Sequence, residues 1–267
     1  MSSLTLRKRM PLDPNDVVVH IIVPFYNCAL WLGRCLRSIE LQTHTNTRVV
    51  LVDDHSTDGS EALAAAFADT HGWKYIYNET NEKCPKNLVT GVAATEADPR
   101  DPIFLLDGDD FLPHSGVMGR VGELYAEADT WMSYGQYMSS PPDWRCSPAI
   151  PAPPQAIYDR DYRTYHGFFN HPIIFRKFLF DAIPLTEFKD KNGDWFRAGY
   201  DRTLIYPLIE LASPHEGPVH WRFFNEINYV YNSENEQSEW RTVANEAKAV
   251  DQIYERSALE PLEVRYV

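Results

Sequence analysis

A chain of 267 residues, 44% hydrophobic and 24% charged, suits one large α/β domain or two small ones; this composition excludes a disordered chain, a collagen-like repeat and a disulfide mini-scaffold. Its 25 basic and 38 acidic residues leave a net charge of −13, a surface that repels nucleic-acid backbone and anionic lipid, so no nucleic-acid partner is expected. The four cysteines, Cys28, Cys35, Cys84 and Cys146, include no C-x-x-C pair, which argues against structural zinc and for reduced thiols in a cytoplasmic protein.

Residues 1–16 carry Arg7, Lys8 and Arg9 with no hydrophobic stretch behind them, and read as a loose arm rather than a signal peptide. Val17 to Val23 is rich in β-branched residues and closed by Pro24, the pattern of a strand buried on both faces. Extended to Phe25 it is the longest apolar run, far short of the ~20 residues that cross a bilayer, so no integral membrane segment is expected. Ala29 to Gln42 has helical spacing at Leu32, Cys35, Leu36 and Ile39. Cys28 and Cys35 then lie about two turns, roughly 10 Å, apart, beyond disulfide reach. Arg48 to Val52 is a second buried strand running into Asp53 and Asp54, and Ser56 or Asp58 can cap a helix over Ser60 to Ala68. Lys74 to Tyr77 is a third strand, Leu88 to Ala97 a helix, and Ile103 to Leu106 a fourth strand ending in Asp107-Gly-Asp-Asp110.

This β-α-β-α-β-α-β order predicts an α/β fold with a mostly parallel central sheet flanked by helices, in which ligands sit beyond the carboxyl ends of the strands. The remainder is less regular. Six prolines among the 14 residues from Pro141 to Pro154 predict a surface loop or lid. Tyr158 to Pro184 is aromatic and mixed, and Arg197 to Ala212 is helical with a kink expected at Pro207. Glu226 to Tyr231 reads as a late strand and Ala244 to Leu259 as a closing helix. The expected organisation is an arm over 1–16, a ligand-binding half over 17–135 and a second half of the same domain over 136–267.

The acid cluster Asp107, Asp109 and Asp110 carries the sharpest chemical signal. Three carboxylates within four residues repel one another unless protons or a cation intervene. Oxygen ligands of this kind suit Mg²⁺ or Mn²⁺ shared with substrate phosphates; a solvated Asp- and Gly-rich turn is the plainer alternative. Asp53 and Asp54 form a second acidic strand end, able to accept from a nucleobase N–H or a ribose hydroxyl. Pro24, Tyr26 and Asn27 form the third, where an aromatic can pack on a base or serve the core. No G-x-G-x-x-G, P-loop or G-x-S-x-G motif is present.

These segments resemble family 2 glycosyltransferases of the GT-A fold. Val19 to Asn27 is similar to their VSIIIPxYN strand, Leu36 to Thr43 to their SLLAQT helix end, Val50 to Ser60 to VVDDGSTDGS, and Phe104 to Asp110 to FLDSDD. Gly199-Tyr-Asp201 stands where the family has GED, and Ile227 to Asn232 resembles its late LYxYR/N strand. The resemblance implies a nucleotide-sugar donor, UDP-type favoured, a glycan or glycoconjugate acceptor, Mn²⁺ or Mg²⁺, and inversion at the anomeric carbon. Pro24, Tyr26 and Asn27 would then line the base pocket, with Asp54 on the base and Asp53 supporting that loop. Lys86 and Asn87 would offer phosphate or base contacts. Asp107 and Gly108 would lie toward the ribose or the metal shell, Asp109 and Asp110 would hold the cation, and Asp201 would be the catalytic base. Asp194 is its rival, and His215 and His220 are candidate third metal ligands. Two features depart from the family: its Asn-x-Gly loop reads Asn81-Glu-Lys83, and Tyr200 replaces the acid before the base. A magnesium-dependent phosphohydrolase with Asp107 or Asp109 as nucleophile, and a non-catalytic nucleotide- or sugar-binding module, are the alternative readings.

Overall fold

The structure, a computed structural model, describes residues 3–6, 11–143, 146–197, 199–235 and 246–266. Seven strands form the central sheet: β2 (Val19–Phe25), β3 (Thr47–Asp53), β4 (Lys74–Tyr77), β5 (Pro102–Leu105), β6 (Met132–Ser140), β7 (Ile173–Arg176) and β8 (Trp221–Asn232). Their order is β4-β3-β2-β5-β7-β6-β8. Neighbours are parallel except at β7, which is antiparallel to both β5 and β6. Ile22 and Val50, partners in register, face one core layer with Leu88 and Val92; Ile21, Val23 and Leu51 face the other with Leu32 and Leu36. Both faces of β2 are covered, which is why its sequence is a continuous apolar run rather than an alternating one.

The first four strands are joined by α1 (Ala29–Glu40), α2 (Ser60–His71) and α3 (Cys84–Ala94), each within a few residues of its predicted bounds. Then follow α4 (Val117–Ala126), α5 (Pro154–Asp159), α6 (Lys177–Asp181), α7 (Tyr200–Leu211) and α8 (Glu246–Tyr254). Pro207 is accommodated inside α7. Residues 244 and 245 of the predicted closing helix lie outside the described residues. None of the four cysteines forms a disulfide, and Cys28 and Cys35 are buried. No helix among the described residues is long and apolar enough to cross a membrane.

Two expectations change and a third gains detail. The arm is not wholly loose, because β1 (Ser3–Leu6) pairs in parallel with β9 (Glu263–Tyr266). The proline-rich segment is tied down at its centre: Ala149 and Ala152 are buried, and the Ala149 and Ile150 carbonyls accept hydrogen bonds from Gln136 and Tyr134. The two halves share one sheet, β6 running across residues 135 and 136 and β7 inserting between β5 and β6.

Candidate functional site

Parallel pairing brings the ends of β2, β3 and β5 to one edge of the sheet, where they floor a cavity of about 850 Å³ roofed by the first turns of α3 and α7. The β5 chain stays on β2 past its last strand residue: Leu106 N–H donates to the Ile22 carbonyl at 3.1 Å and Gly108 N–H to that of Pro24 at 3.0 Å. A Cβ on Gly108 would stand 2.4 Å from the Phe25 Cβ, so only glycine lets the acid turn lie against the end of β2.

On the β3 side the two acids play different parts. Asp53 is fully buried and accepts from Ser56 N–H at 2.8 Å and the Tyr75 hydroxyl at 2.9 Å, which ties the loop after β3 to the sheet. Asp54 lines the cavity, but its oxygens already accept from Glu82 N–H (2.6 Å), Lys83 N–H (3.0 Å) and the Asn78 amide (3.1 Å). Asp54 therefore anchors the loop that precedes α3. In that loop Lys83, where the resemblance places glycine, holds φ 75 and ψ 155. Pro24, Tyr26 and the buried Asn87 also line the cavity. Asn27 does not; it braces the loop, its side chain accepting from Thr57 N–H at 2.9 Å. Lys86 is not at the cavity either, since its ammonium pairs with Glu82 at 2.5 Å along α3. The lysine that lines the cavity is Lys83, one helical turn earlier.

Each acid of the Asp107-Asp109-Asp110 cluster takes a hydrogen bond from a neutral side chain of the second half. The Tyr200 hydroxyl donates to Asp107 at 2.7 and 2.6 Å to its two oxygens. The Asn235 amide donates to Asp109 at 2.7 Å, and the Tyr229 hydroxyl to Asp110 at 2.5 Å. Asp110 is nearly sealed and takes a further bond from Asn232 N–H at 2.7 Å, so it acts chiefly as a brace between β5 and β8. Burial pushes the Asp107 carboxyl up to about 6, with the charge of Asp201 adding to it. Burial and the charge of Asp107 push Asp109 to about 6, and burial with both neighbouring charges holds Asp110 well above the carboxylate range. No lysine or arginine among the described residues forms an ion pair with these three acids, and crowded carboxylates of this kind are what a divalent cation relieves.

Across the cavity, Asp201 lies in the first turn of α7, behind Gly199 at φ +68. No described residue donates a hydrogen bond to its carboxylate, which lines the cavity from the first turn of the helix. Asp194 is exposed in a turn outside the cavity. His215 pairs with Glu260 at 3.0 Å and His220 stacks on Trp131 with centroids 4.0 Å apart; neither reaches the cavity.

The cavity histidine is His171, which sequence reasoning missed. Its ring stacks on Tyr229 with centroids 4.7 Å apart, and its Nδ1 is buried with no hydrogen-bond partner among the described residues. Burial lowers its pKa, against the opposing charges of Asp201 and Asp109. No spacing marks it, because the start of β7 brings it in from the antiparallel strand. Among the described residues no three His, Cys, Asp or Glu side chains are arranged to hold a metal alone. The donor set fits a cation that draws its other ligands from water and a diphosphate, as Mg²⁺ and Mn²⁺ do.

The glycosyl transferase family 2 model matches residues 20–183. The glycosyltransferase GlyG of Streptococcus pneumoniae is 31% identical over 217 residues, 79% of this chain and 60% of its own length. The putative glycosyltransferase EpsE of Bacillus subtilis is 33% identical over 94 residues, 34% of this chain and 33% of its own. The chain thus spans less than two thirds of the length of these relatives. Among solved structures, TarS of S. aureus in complex with UDP-GlcNAc has a TM-score of 0.59 at 15% identity, covering 85% of this chain and 61% of that one. The mannosyltransferase PcManGT of Pyrobaculum calidifontis, in complex with GDP-Man and Mn²⁺, has a TM-score of 0.59 at 17% identity, covering 94% and 68%. Those likenesses establish the GT-A fold, and the family match runs from β2 through the acid cluster and β7 to just past α6; the chain belongs to glycosyl transferase family 2.

Proposed function

We propose that the protein moves a sugar, with inversion, from a nucleotide-diphosphate donor to a hydroxyl of a glycan or glycoconjugate, aided by Mn²⁺ or Mg²⁺ in the cytoplasm. The observation that carries this reading is Asp201, an acid that lines the same cavity as the Asp107-Asp109-Asp110 cluster and to which no described residue donates a hydrogen bond. Asp109 would hold the cation, with Asp107 toward it or the ribose. A bound cation would supply charge neutralisation to the departing diphosphate. Asp201 takes the proton of the acceptor hydroxyl as its oxygen bonds to the anomeric carbon, and the bond to the diphosphate breaks with its electron pair leaving on phosphate oxygen. Pro24, Tyr26 and Asn87 enclose the base, beside the loop that Asp54 anchors. Relatives of this fold bind UDP-GlcNAc and GDP-Man, which supports a nucleotide-sugar donor and leaves the base to experiment. For a phosphohydrolase, the Tyr200 hydroxyl bonded to both oxygens of Asp107 disfavours that residue as nucleophile, and the match to the glycosyl transferase family disfavours the reading as a whole.

A panel of nucleotide-sugars with Mn²⁺, scored by thermal shift and then by transfer, tests the donor; stabilisation by none of them counts against the reading. Asp201→Asn should lower turnover by ~10²–10⁴-fold while donor affinity and Tm barely move. Wild-type turnover in that variant removes Asp201 as the base.

A further inference from the structure

We propose that Tyr200 is a positioning residue whose hydroxyl withholds Asp107 from a free cation, so that cation and nucleotide diphosphate enter the site together. The second clause rests on the donor reading above; the first stands on the geometry of the two side chains. One hydroxyl proton serves both Asp107 oxygens, at 2.7 and 2.6 Å, which places the tyrosine oxygen astride the open side of the carboxylate. A cation that chelates Asp107 must displace a charge-assisted hydrogen bond, the stronger kind. The other acids offer little more. Asp110 is closed by Tyr229 and Asn232, and one oxygen of Asp109 carries the Asn235 amide. A free hard cation, which wants about six oxygens, therefore finds one partly open carboxylate in the cluster and keeps most of its water. A diphosphate brings the missing anionic oxygens, so the pair binds where neither alone does well.

The tyrosine stands where the resembled family carries an acid. An acid there would add a fourth negative charge beside the cluster and an open ligand for the cation. A hydroxyl instead lends Asp107 a proton without adding charge, and ties the first turn of α7, which carries Asp201, to the end of β5.

The test reads Mn²⁺ binding directly, by loss of the free-ion signal in electron paramagnetic resonance, without turnover. Wild type should bind Mn²⁺ weakly alone and at least ~10-fold more tightly with UDP or GDP present. Tyr200→Phe should bind Mn²⁺ alone about tenfold more tightly, the scale of one lost competing bond to a charged group. That gain should vanish in the Asp107→Asn background. Asp107→Asn alone should cost free Mn²⁺ about threefold or less, since Asp107 is already withheld, and this arm decides the matter if Tyr200→Phe does not fold. An unchanged or weakened affinity in folded Tyr200→Phe overturns the proposal, as does a larger loss in Asp107→Asn. Failure of the donor reading looks different: neither nucleoside diphosphate binds under any condition, while the Tyr200 comparison with Mn²⁺ alone still decides the gate.

Discussion

Asp109→Asn should make the protein more stable while removing what the site is for. The Asp109 carboxyl, ordinarily near 3.8, is pushed up to about 6 by burial and by the charge of Asp107. A shift of that size corresponds to about 3 kcal/mol, taking 1.36 kcal/mol for each unit. The sign follows from proton linkage. Between about pH 4 and 6 the folded chain holds this proton more tightly than the unfolded chain does. Stability therefore falls as pH rises through that window, and the full cost persists above it. Asparagine carries no such cost and keeps an acceptor for the Asn235 amide, now 2.7 Å from the carboxylate. In metal-free buffer at pH 7.5 the variant should be stabilised by up to about 3 kcal/mol, a rise in Tm on the order of 5 °C for a domain of this size. At pH 4 the two proteins should melt together. The same variant should lose the extra stabilisation that Mn²⁺ with a nucleoside diphosphate gives wild type. A gain equal at both pH values, no gain at pH 7.5, or an undiminished response to Mn²⁺ and nucleotide would each refute the reasoning.

Lys83→Gly should raise stability by about 1 kcal/mol in urea unfolding, because φ 75 with ψ 155 is a region nearly confined to glycine and costs other residues about 1–3 kcal/mol. A destabilised variant would mean that the side chain, not the backbone, decides this position. Gly108→Ala should cost about 1–3 kcal/mol through overpacking, since the new Cβ meets that of Phe25 at 2.4 Å, and nucleotide binding should fall with it. A normal Tm with normal binding would show that the acid turn has room to move. Asp54→Ala should release the loop preceding α3 and weaken free nucleoside as well as nucleotide-sugar, with or without metal. Calorimetry in which only metal-dependent binding suffers would place Asp54 with the cation instead.

How much of this was legible from sequence depends on what positions each residue. The donor side of the cavity is built from strand ends, and strand ends announce themselves: β2 and β3 are apolar runs that stop at Pro24 and Asp53, and β5 stops just before Asp107. Parallel pairing then puts all three at one edge with no further information. Within that side the errors are of fine geometry. Lys86 is expected at the ligand from its charge alone, although α3 turns it onto Glu82, and Lys83 lines the cavity instead. Asn27 shares its motif with Tyr26 but spends its side chain on Thr57.

The acceptor side is positioned by single contacts between distant parts of the chain. Tyr200 meets Asp107 across 93 positions, Tyr229 meets Asp110 across 119, and Asn235 meets Asp109 across 126. Neither a 3.6- nor a 2-residue period marks such residues, because each acts alone rather than as one row of a face. β7 adds to the difficulty: four residues suffice to reverse direction inside the sheet and set His171 beside the cluster. His215 and His220 were candidates for want of any rule that could prefer His171. The same physics limits what can be said of the acceptor. Three neutral donors satisfy three acids here with no charge to spare, so whatever distinguishes one acceptor from another must lie in the shape of the cavity around Asp201, Tyr200 and His171. That shape is made by residues which sequence pattern leaves unmarked, and variants at those positions are where acceptor preference should change while donor binding persists.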